Sequence, residues 1–298
     1  MPKKFSYPTR NNSPDSKAIR GTRGHSLPVS GRTIGFLREA LREDIGLKDV
    51  TSNLLIPAQA RGTARVIAKE KGVFCGQWLV MKLFRIADPG VKLEFRVRDG
   101  HQFRRGQTVF LMHGNIRSIL KVERTMVNFI GHLSGVATKT RLFVNKVKKY
   151  PVLILDTRKT TPIWRELEKV AVQVGGARNH RQGLDEFIFV KENHRIHGTL
   201  KKLRRHPGNF EIEVRSLGEL WEAIQLRPKV ILLDNFTPND AKRAVAIVRK
   251  EAPGVILEAS GGITIGNVRK FAAAGVDTIS VGSLTHSVKA VDFSLLVD

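Results

Sequence analysis

The first regular pattern begins at Thr33, where Ile34, Leu37 and Leu41 recur on one face of a helix that runs to Asp44. Alternating apolar and polar positions then predict strands over 63–69, 91–98 and 108–112, and a helical period predicts a helix over 78–86. Several strands with one covering helix suggest a small α+β layer domain. A long helical stretch follows over 116–149, expected to relax near Gly131 and Ser134-Gly135.

After Pro151 the texture changes. Short apolar runs at 152–156, 187–191, 210–213, 230–234, 255–259 and 278–281 alternate with helical patterns at 164–174, 217–225, 239–250 and 265–274. Strands apolar along their whole length belong in a parallel sheet buried on both faces. From the second strand on, successive strand ends lie 21 to 26 residues apart, the length of single βα units. A closed or nearly closed parallel α/β barrel is the simplest arrangement, with a doubly wound open sheet as the alternative. No Gly-x-Gly-x-x-Gly follows the first strand, which argues against a dinucleotide site.

Residues 1–30 break the regularity: Pro8, Pro14 and Pro28 stand among Ser, Asn, Gly and basic residues with no hydrophobic period, as in a flexible tail. The segment lacks the apolar core of a secretory signal, and its prolines argue against the amphipathic helix of a transit peptide. The first 32 residues carry Lys3, Lys4, Arg10, Lys17, Arg20, Arg23 and Arg32 against Asp15 alone, in a chain of 298 residues with net charge +24. Such a field favours encounter with polyanions, whether nucleic acid, acidic lipid or phosphorylated metabolites, and composition does not choose among them. No apolar run approaches the roughly 18 residues a membrane span needs. The one cysteine, Cys75, has no partner for an internal disulfide, so a cytoplasmic location is expected.

Each predicted barrel strand ends on a residue that an apolar core would not choose. The ends are Asp156, Lys191, Glu213, Asp234, Ser260-Gly261-Gly262 and Gly282. Carboxyl ends of barrel strands open onto active sites, and six polar ends in register exceed what helix capping requires. Arg158, Lys159, Arg181 and Lys191 form a cationic set, with His180 beside Arg181, suited to a ligand carrying several carboxylates or phosphates. Glu213 and Asp234 offer two carboxylates on neighbouring strands, the number that magnesium on substrate phosphates takes from a protein. A buried structural ion pair is the other reading of these acids. The turns at Ser260-Gly261-Gly262 and Gly282-Ser283, near Thr285 and His286, let backbone approach a phosphate. His194 and His197 lack a third ligand. No Gly-x-Ser-x-Gly elbow is present, and Trp78, Trp164 and Trp221 fall on helical periods that suit core packing.

At these residues a resemblance becomes specific. Asp156-Thr-Arg-Lys-Thr-Thr-Pro162, Gly175-Gly-Ala-Arg-Asn-His-Arg181, Lys191-Glu-Asn-His194, Leu233-Asp-Asn-Phe236, Glu258-Ala-Ser-Gly-Gly-Ile263 and Ser280-Val-Gly-Ser-Leu-Thr-His286 resemble the quinolinate phosphoribosyltransferase family in order and spacing. Glu43-Asp-Ile-Gly-Leu-Lys-Asp-Val-Thr51, Glu123-Arg-Thr-Met-Val-Asn128 and Leu133-Ser-Gly-Val-Ala-Thr138 extend the likeness through about 33–298.

After the basic tail read from composition over 1–32, the resemblance implies an N-terminal α/β sandwich domain with connecting helices over 33–150. A C-terminal α/β barrel with an open, TIM-like seam follows over 151–298, its last strand able to return to the sandwich domain. It also implies phosphoribosyl transfer from 5-phosphoribosyl pyrophosphate to quinolinate with decarboxylation, in homodimers or hexamers built from dimers, with magnesium as cofactor.

By the same resemblance, Lys159, Glu213 and Asp234 are the catalytic set, with Glu213 and Asp234 on the metal partly through water. Arg158, His180, Arg181 and Lys191 hold the quinolinate carboxylates, joined by Arg124 from a partner subunit. Lys159 and Lys191 also face the phosphoribosyl ligand, with Thr157, Val281 and Ser283 lining the substrate site, and Ser260, Gly261, Gly262, Gly282 and His286 seat the phosphate. The chain departs from the family at Ile163-Trp164, where Gly-Leu is usual, and at Ala177, Glu192, Lys48 and Ser52. Two related enzymes, a nicotinate phosphoribosyltransferase and a molybdenum-linked pyrophosphorylase paralogue, share the barrel. A basic nucleic-acid binder with a vestigial barrel is the alternative from another class, which no RNA-binding aromatic motif supports.

Overall fold

The computed structural model describes residues 30–298, so the expected tail lies almost wholly outside the described residues. In chain order the first half forms α1 (Gly31–Ile45), α2 (Val50–Leu55), β1 (Arg61–Ala68), β2 (Gly72–Val73), α3 (Gln77–Ala87), β3 (Lys92–Phe95), β4 (Gln102–Phe103), β5 (Thr108–Asn115) and α4 (Ile116–Val147). The second half forms β6 (Leu153–Leu155), α5 (Arg165–Gly175), β7 (Ile188–Val190), α6 (Glu192–His197), a 3₁₀ turn (Leu200–Arg205), β8 (Phe210–Val214) and α7 (Leu217–Gln225). After these come β9 (Val230–Asp234), α8 (Pro238–Glu251), β10 (Ile256–Ser260), α9 (Val268–Ala274), β11 (Thr278–Ser280), α10 (Ser283–His286) and β12 (Phe293–Val297). Among the described residues, no helix is long and apolar enough to cross a membrane.

Two compact units divide these elements. One takes residues 30–139, 166–175 and 288–298; the other takes 140–165 and 176–287. The first unit holds an antiparallel sheet in the order β12-β1-β5-β3 and a two-stranded sheet, β2-β4. α1 starts where the Ser30 hydroxyl accepts the Thr33 N–H, and it buries Thr33, Leu37 and Leu41. The apolar alternation of β1 places Ala64, Val66 and Ala68 in the core. Its other edge pairs with β12, Val66 opposite Leu295.

The expected relaxation of the long helix does not occur: α4 is continuous over 32 residues. Its glycines serve a close approach instead. Val291 N–H donates to Gly131 O at 2.9 Å. A Cβ at Gly131 would lie 2.8 Å from Val291 O, and one at Gly135 would collide with Lys289 O. Glycine therefore lets the segment leading into β12 lie against the helix.

In the second unit β6-β11-β10-β9-β8-β7 form one parallel sheet of six strands. β6 and β7 stand at its edges, yet Leu155 of β6 packs in one buried cluster with Phe187, Phe189 of β7, and Val230 and Leu232 of β9. The sheet therefore curls around a common core and leaves its seam between β6 and β7. A single parallel bridge, Leu155 to Arg178, extends β6 into that seam. The covering helices start on local signals: Ser216 caps α7, and Thr237 with Pro238 at the first position starts α8.

Register sets the inner face. Leu153 pairs with Thr278, Thr278 with Glu258, Glu258 with Leu232 and Leu232 with Glu213. Parallel partners project to one side, so these residues share the inward row. Lys191 belongs to it as well, two residues beyond the Phe189–Glu211 pair. Two residues further along their strands come Ser280, which is buried, and Ser260 and Asp234, which are half-buried at the mouth.

Candidate active site

The polar strand ends divide into supports and ligand-facing groups. Asp156 is fully buried, and its carboxylate accepts the His180 N–H at 2.8 Å. It therefore anchors the 176–181 segment rather than facing solvent. Thr157 Oγ1 accepts the Lys159 N–H at 3.0 Å, which turns the chain so that Arg158 and Lys159 are exposed. Thr285 Oγ1 donates to Lys159 O at 2.6 Å and ties this loop to α10.

Three cations gather around one ring and one loop. The Arg181 guanidinium lies 4.8 Å from the Phe189 ring centre, and Lys191 Nζ lies 4.6 Å from the same centre. Burial first, and then the charge of Arg158, lowers the Arg181 pKa from its ordinary value. The guanidinium stays charged, since arginine titrates far above neutrality, but both effects favour an incoming anion. Lys191 Nζ donates to Glu213 Oε2 at 3.0 Å.

Beside this pair, Asp234 accepts from Asn235 Nδ2 at 2.9 Å and faces Arg215 Nε at 3.5 Å. Arg215 also pairs with Glu192. The sequence reading did not single out Arg215, because an exposed arginine after a strand looks like ordinary surface. A pocket beside Glu213 is lined by Glu192, Arg195, Ile196, Arg215 and Glu219.

The last two turns build the other side of the mouth. Ser260 is half-buried and followed by Gly261 at φ +84° and Gly262 at φ +60°. Asn235, itself at φ +56°, donates its N–H to Ser260 O at 2.9 Å and places its side chain where a Cβ on Gly261 would stand. Val281 is buried and hydrogen-bonds β6 through Leu155 O. Gly282 lies between two side chains: an added Cβ would meet Lys159 Cδ at 3.2 Å and His286 at 3.3 Å. Ser283 is half-buried and His286 exposed at the two ends of α10. Lys159, Gly282 and His286 thus share one spot.

Below the mouth lie three groups, two of which the strand-end pattern did not reveal. Glu211 and Glu258 are fully buried inside the barrel, and His180 is nearly so. His180 Nε2 lies 3.2 Å from Glu211 Oε2 and 3.8 Å from Glu258 Oε2. Burial raises the Glu258 pKa to about 8, against weaker lowering by hydrogen bonds from Ser280 and Thr278. The sequence signal for Glu211 was only a carboxylate at an inward strand position, and Glu258 entered only as the first residue of the Glu258-Ala-Ser-Gly-Gly-Ile263 segment.

Other expectations fall elsewhere. His194 Nδ1 accepts the Lys191 N–H at 3.0 Å and caps α6, so it is occupied by the backbone. Trp78 is buried, but Trp221 is exposed on α7, which buries Leu220, Ala223 and Ile224 instead. Arg124 is exposed on α4 and belongs to the other unit.

Comparison with known proteins gives a consistent result. Residues 49–134 match the N-terminal domain of quinolinate phosphoribosyl transferase, and residues 136–296 match its C-terminal domain. A probable nicotinate-nucleotide pyrophosphorylase (carboxylating) of Methanocaldococcus jannaschii is 39% identical over 273 residues, covering 87% of this chain and 95% of that protein. The nicotinate-nucleotide pyrophosphorylase (carboxylating) of Mycobacterium leprae is 37% identical over 272 residues, covering 87% and 95%. The solved structure of the nicotinate-nucleotide pyrophosphorylase of Francisella tularensis superposes with a TM-score of 0.83 at 37% identity, over 92% of this chain and 99% of that one.

Proposed function

The chain belongs to the quinolinate phosphoribosyltransferase family, and on that premise we propose how its barrel mouth carries out the reaction. The activity is that of a pentosyltransferase of NAD biosynthesis, EC 2.4.2.19. Quinolinate and 5-phosphoribosyl pyrophosphate give nicotinate mononucleotide, pyrophosphate and carbon dioxide. One observation carries the assignment of the site. Arg181 and Lys191 stack on the same Phe189 ring, with Arg158 close enough to repel Arg181, while Glu213 stands one residue before the end of β8 and Asp234 ends β9.

Arg158, Arg181 and Lys191 hold the two carboxylates of quinolinate, with His180 beneath them, and the partner subunit's Arg124 closes the cationic ring. This multiplicity of cations suits a dicarboxylate better than nicotinate, which carries one carboxylate. The pyridine nitrogen already has a lone pair, so its attack on ribose C1 needs no general base. The cationic character growing on C1 and the charge leaving with pyrophosphate are balanced by fixed charges: carboxylates of Glu213 and Asp234, and the ammonium of Lys159. Lys159, Ser260, Gly261, Gly262, Gly282 and His286 seat the phosphate, where glycine leaves room for backbone to approach. Ribosylation makes the ring a pyridinium, whose positive nitrogen stabilises the electron pair left on C2 when the 2-carboxylate leaves as carbon dioxide, and a proton from water then completes nicotinate mononucleotide.

Magnesium fits the acids available. Glu213 and Asp234 present hard carboxylate oxygens on one inner face, the partial set that this ion takes beside phosphate and water. They would hold the ion, which neutralises pyrophosphate charge when bound. The working unit is a homodimer with shared sites, alone or as a trimer of dimers, and the lone buried Cys75 suits a reducing cytoplasm.

Mixed dimers test the sharing. Arg124→Ala and Lys159→Ala are each nearly inactive alone. Equal amounts refolded together recover about a quarter of wild-type activity, because half the dimers are mixed and each keeps one intact site of two. No recovery, with subunit exchange demonstrated, would place Arg124 outside the partner's site.

A further inference from the structure

The acids under the mouth remain unused by the reaction just described. Glu211 and Glu258 sit on neighbouring inward rows with no solvent exposure, and among the described residues Glu211 Oε2 and Glu258 Oε1 each lack a hydrogen-bond partner. Two adjacent anions sealed in a barrel would repel each other and forgo solvation at a cost of several kcal/mol each. Their surroundings indicate how this is avoided. The His180 ring lies between Phe187 and Phe189, with ring centres 5.6 and 5.7 Å away. Its Nδ1 accepts the Arg181 N–H at 2.8 Å. An accepting Nδ1 has no proton, so the hydrogen of the imidazole is on Nε2 and points to Glu211. Among the described residues, Glu258 also faces the hydroxyls of Thr278 and Ser280 from β11 and apolar Leu232 from β9. Among the described residues, no lysine or arginine is paired with it.

We propose that Glu211 and Glu258 are positioning residues: Glu211 fixes the His180 tautomer, and Glu258, 3.8 Å from the same ring nitrogen and bonded to the Thr278 hydroxyl, backs the ring as a neutral acid rather than as an anion or a metal ligand. His180 in turn holds the Arg181 backbone, and so aims the Arg181 guanidinium at quinolinate. The inference rests on the site assignment above. It adds to the part played by His180, which also works from beneath through Arg181. Burial that raises the Glu258 pKa to about 8 is consistent with this, since the group then keeps its proton at neutral pH.

Glu258→Gln retains shape and neutrality, whereas Glu258→Leu removes the polar group. Steady-state kinetics and calorimetric quinolinate binding, with folding checked by circular dichroism, compare both with wild type. The expected result is Glu258→Gln within about twofold of wild type in KM for quinolinate, and Glu258→Leu raised about tenfold with kcat less affected, the scale of one lost buried hydrogen bond. Infrared difference spectra at neutral pH should show a protonated-carboxyl band in wild type that Glu258→Gln lacks. The proposal is overturned by equal loss of quinolinate binding in both variants, by wild-type kinetics in both, by absence of the band, or by a stoichiometric bound metal that Glu258→Gln releases. If Glu258→Leu does not fold, the spectra and the Glu258→Gln kinetics still decide. A wild-type protein inert toward quinolinate would instead remove the site assignment, while the infrared band would still report on Glu258.

Discussion

The Lys191 ammonium lies 3.0 Å from the Glu213 carboxylate, and the two side chains differ sharply in exposure, 49% against 8%. They meet because Lys191 stands two residues beyond Phe189, the partner of Glu211, and Glu213 two beyond Glu211. In the free enzyme each charge answers the other. Lys191→Ala therefore leaves a nearly buried carboxylate without its cation. We expect quinolinate KM to rise at least tenfold and stability to fall by about 1–3 kcal/mol, at the lower end because lysine is half-exposed. Adding Glu213→Gln should recover stability but not turnover. Chemical denaturation and steady-state kinetics on the two variants check both halves.

Gly261 and Gly282 should respond differently to alanine. At Gly261 φ is +84° and the added methyl collides with Asn235, whose N–H donates to Ser260 O and whose side chain donates to Asp234. Gly261→Ala should lose about 1–3 kcal/mol of stability and most phosphoribosyl pyrophosphate binding. At Gly282 φ is not positive, and the methyl meets the mobile ends of Lys159 and His286 at 3.2 and 3.3 Å. Gly282→Ala should fold normally and raise KM for phosphoribosyl pyrophosphate alone. Thermal melts and kinetics with each substrate varied separate the two.

Asp234 ends β9 half-buried, with Arg215 3.5 Å away. Asp234→Asn should shift the magnesium activation curve to concentrations about tenfold higher and lower kcat, while calorimetry still detects quinolinate. Chelation should abolish wild-type turnover and magnesium should restore it. Unchanged magnesium dependence in Asp234→Asn would remove the carboxylate from the metal.

Most of this architecture was legible because buried parallel strands such as Val230–Asp234 are apolar throughout, and their polar ends then mark the mouth. Glu211 was not. In Phe210-Glu211-Ile212-Glu213 the alternation reads as a strand with one wet face, and only curling of the sheet buries both faces. β12, anticipated by the resemblance alone, carried the same kind of difficulty for the residue pattern. Phe293-Ser-Leu-Leu-Val297 is short, and its identity as a strand depends on β1, more than 220 residues away. Gly131 and Gly135 looked like helix breakers because their service to Val291 and Lys289 is equally non-local.

The Glu258 carboxyl predicts a pH dependence of stability. Its ordinary value is 4.5 and its folded value about 8, so the folded state binds the proton more tightly. Its contribution is fully present below about 4.5, declines as pH rises, and is lost once pH passes about 8. Over that window the slope approaches ~1.4 kcal/mol per pH unit. Glu258→Gln should remove this component, so denaturation curves of the two proteins should diverge between pH 5 and 8, as an order-of-magnitude window from that linkage. Parallel curves would mean that Glu258 is ionised in the fold.

The central claim is decarboxylating phosphoribosyl transfer to a dicarboxylate at the barrel mouth. Purified protein with magnesium, 5-phosphoribosyl pyrophosphate and quinolinate labelled in its 2-carboxylate should release labelled carbon dioxide, nicotinate mononucleotide and pyrophosphate in equal amounts. Arg181→Ala should suppress all three together, and nicotinate should not replace quinolinate. Nicotinate used in preference to quinolinate, or pyrophosphate formed without labelled carbon dioxide, would contradict the account.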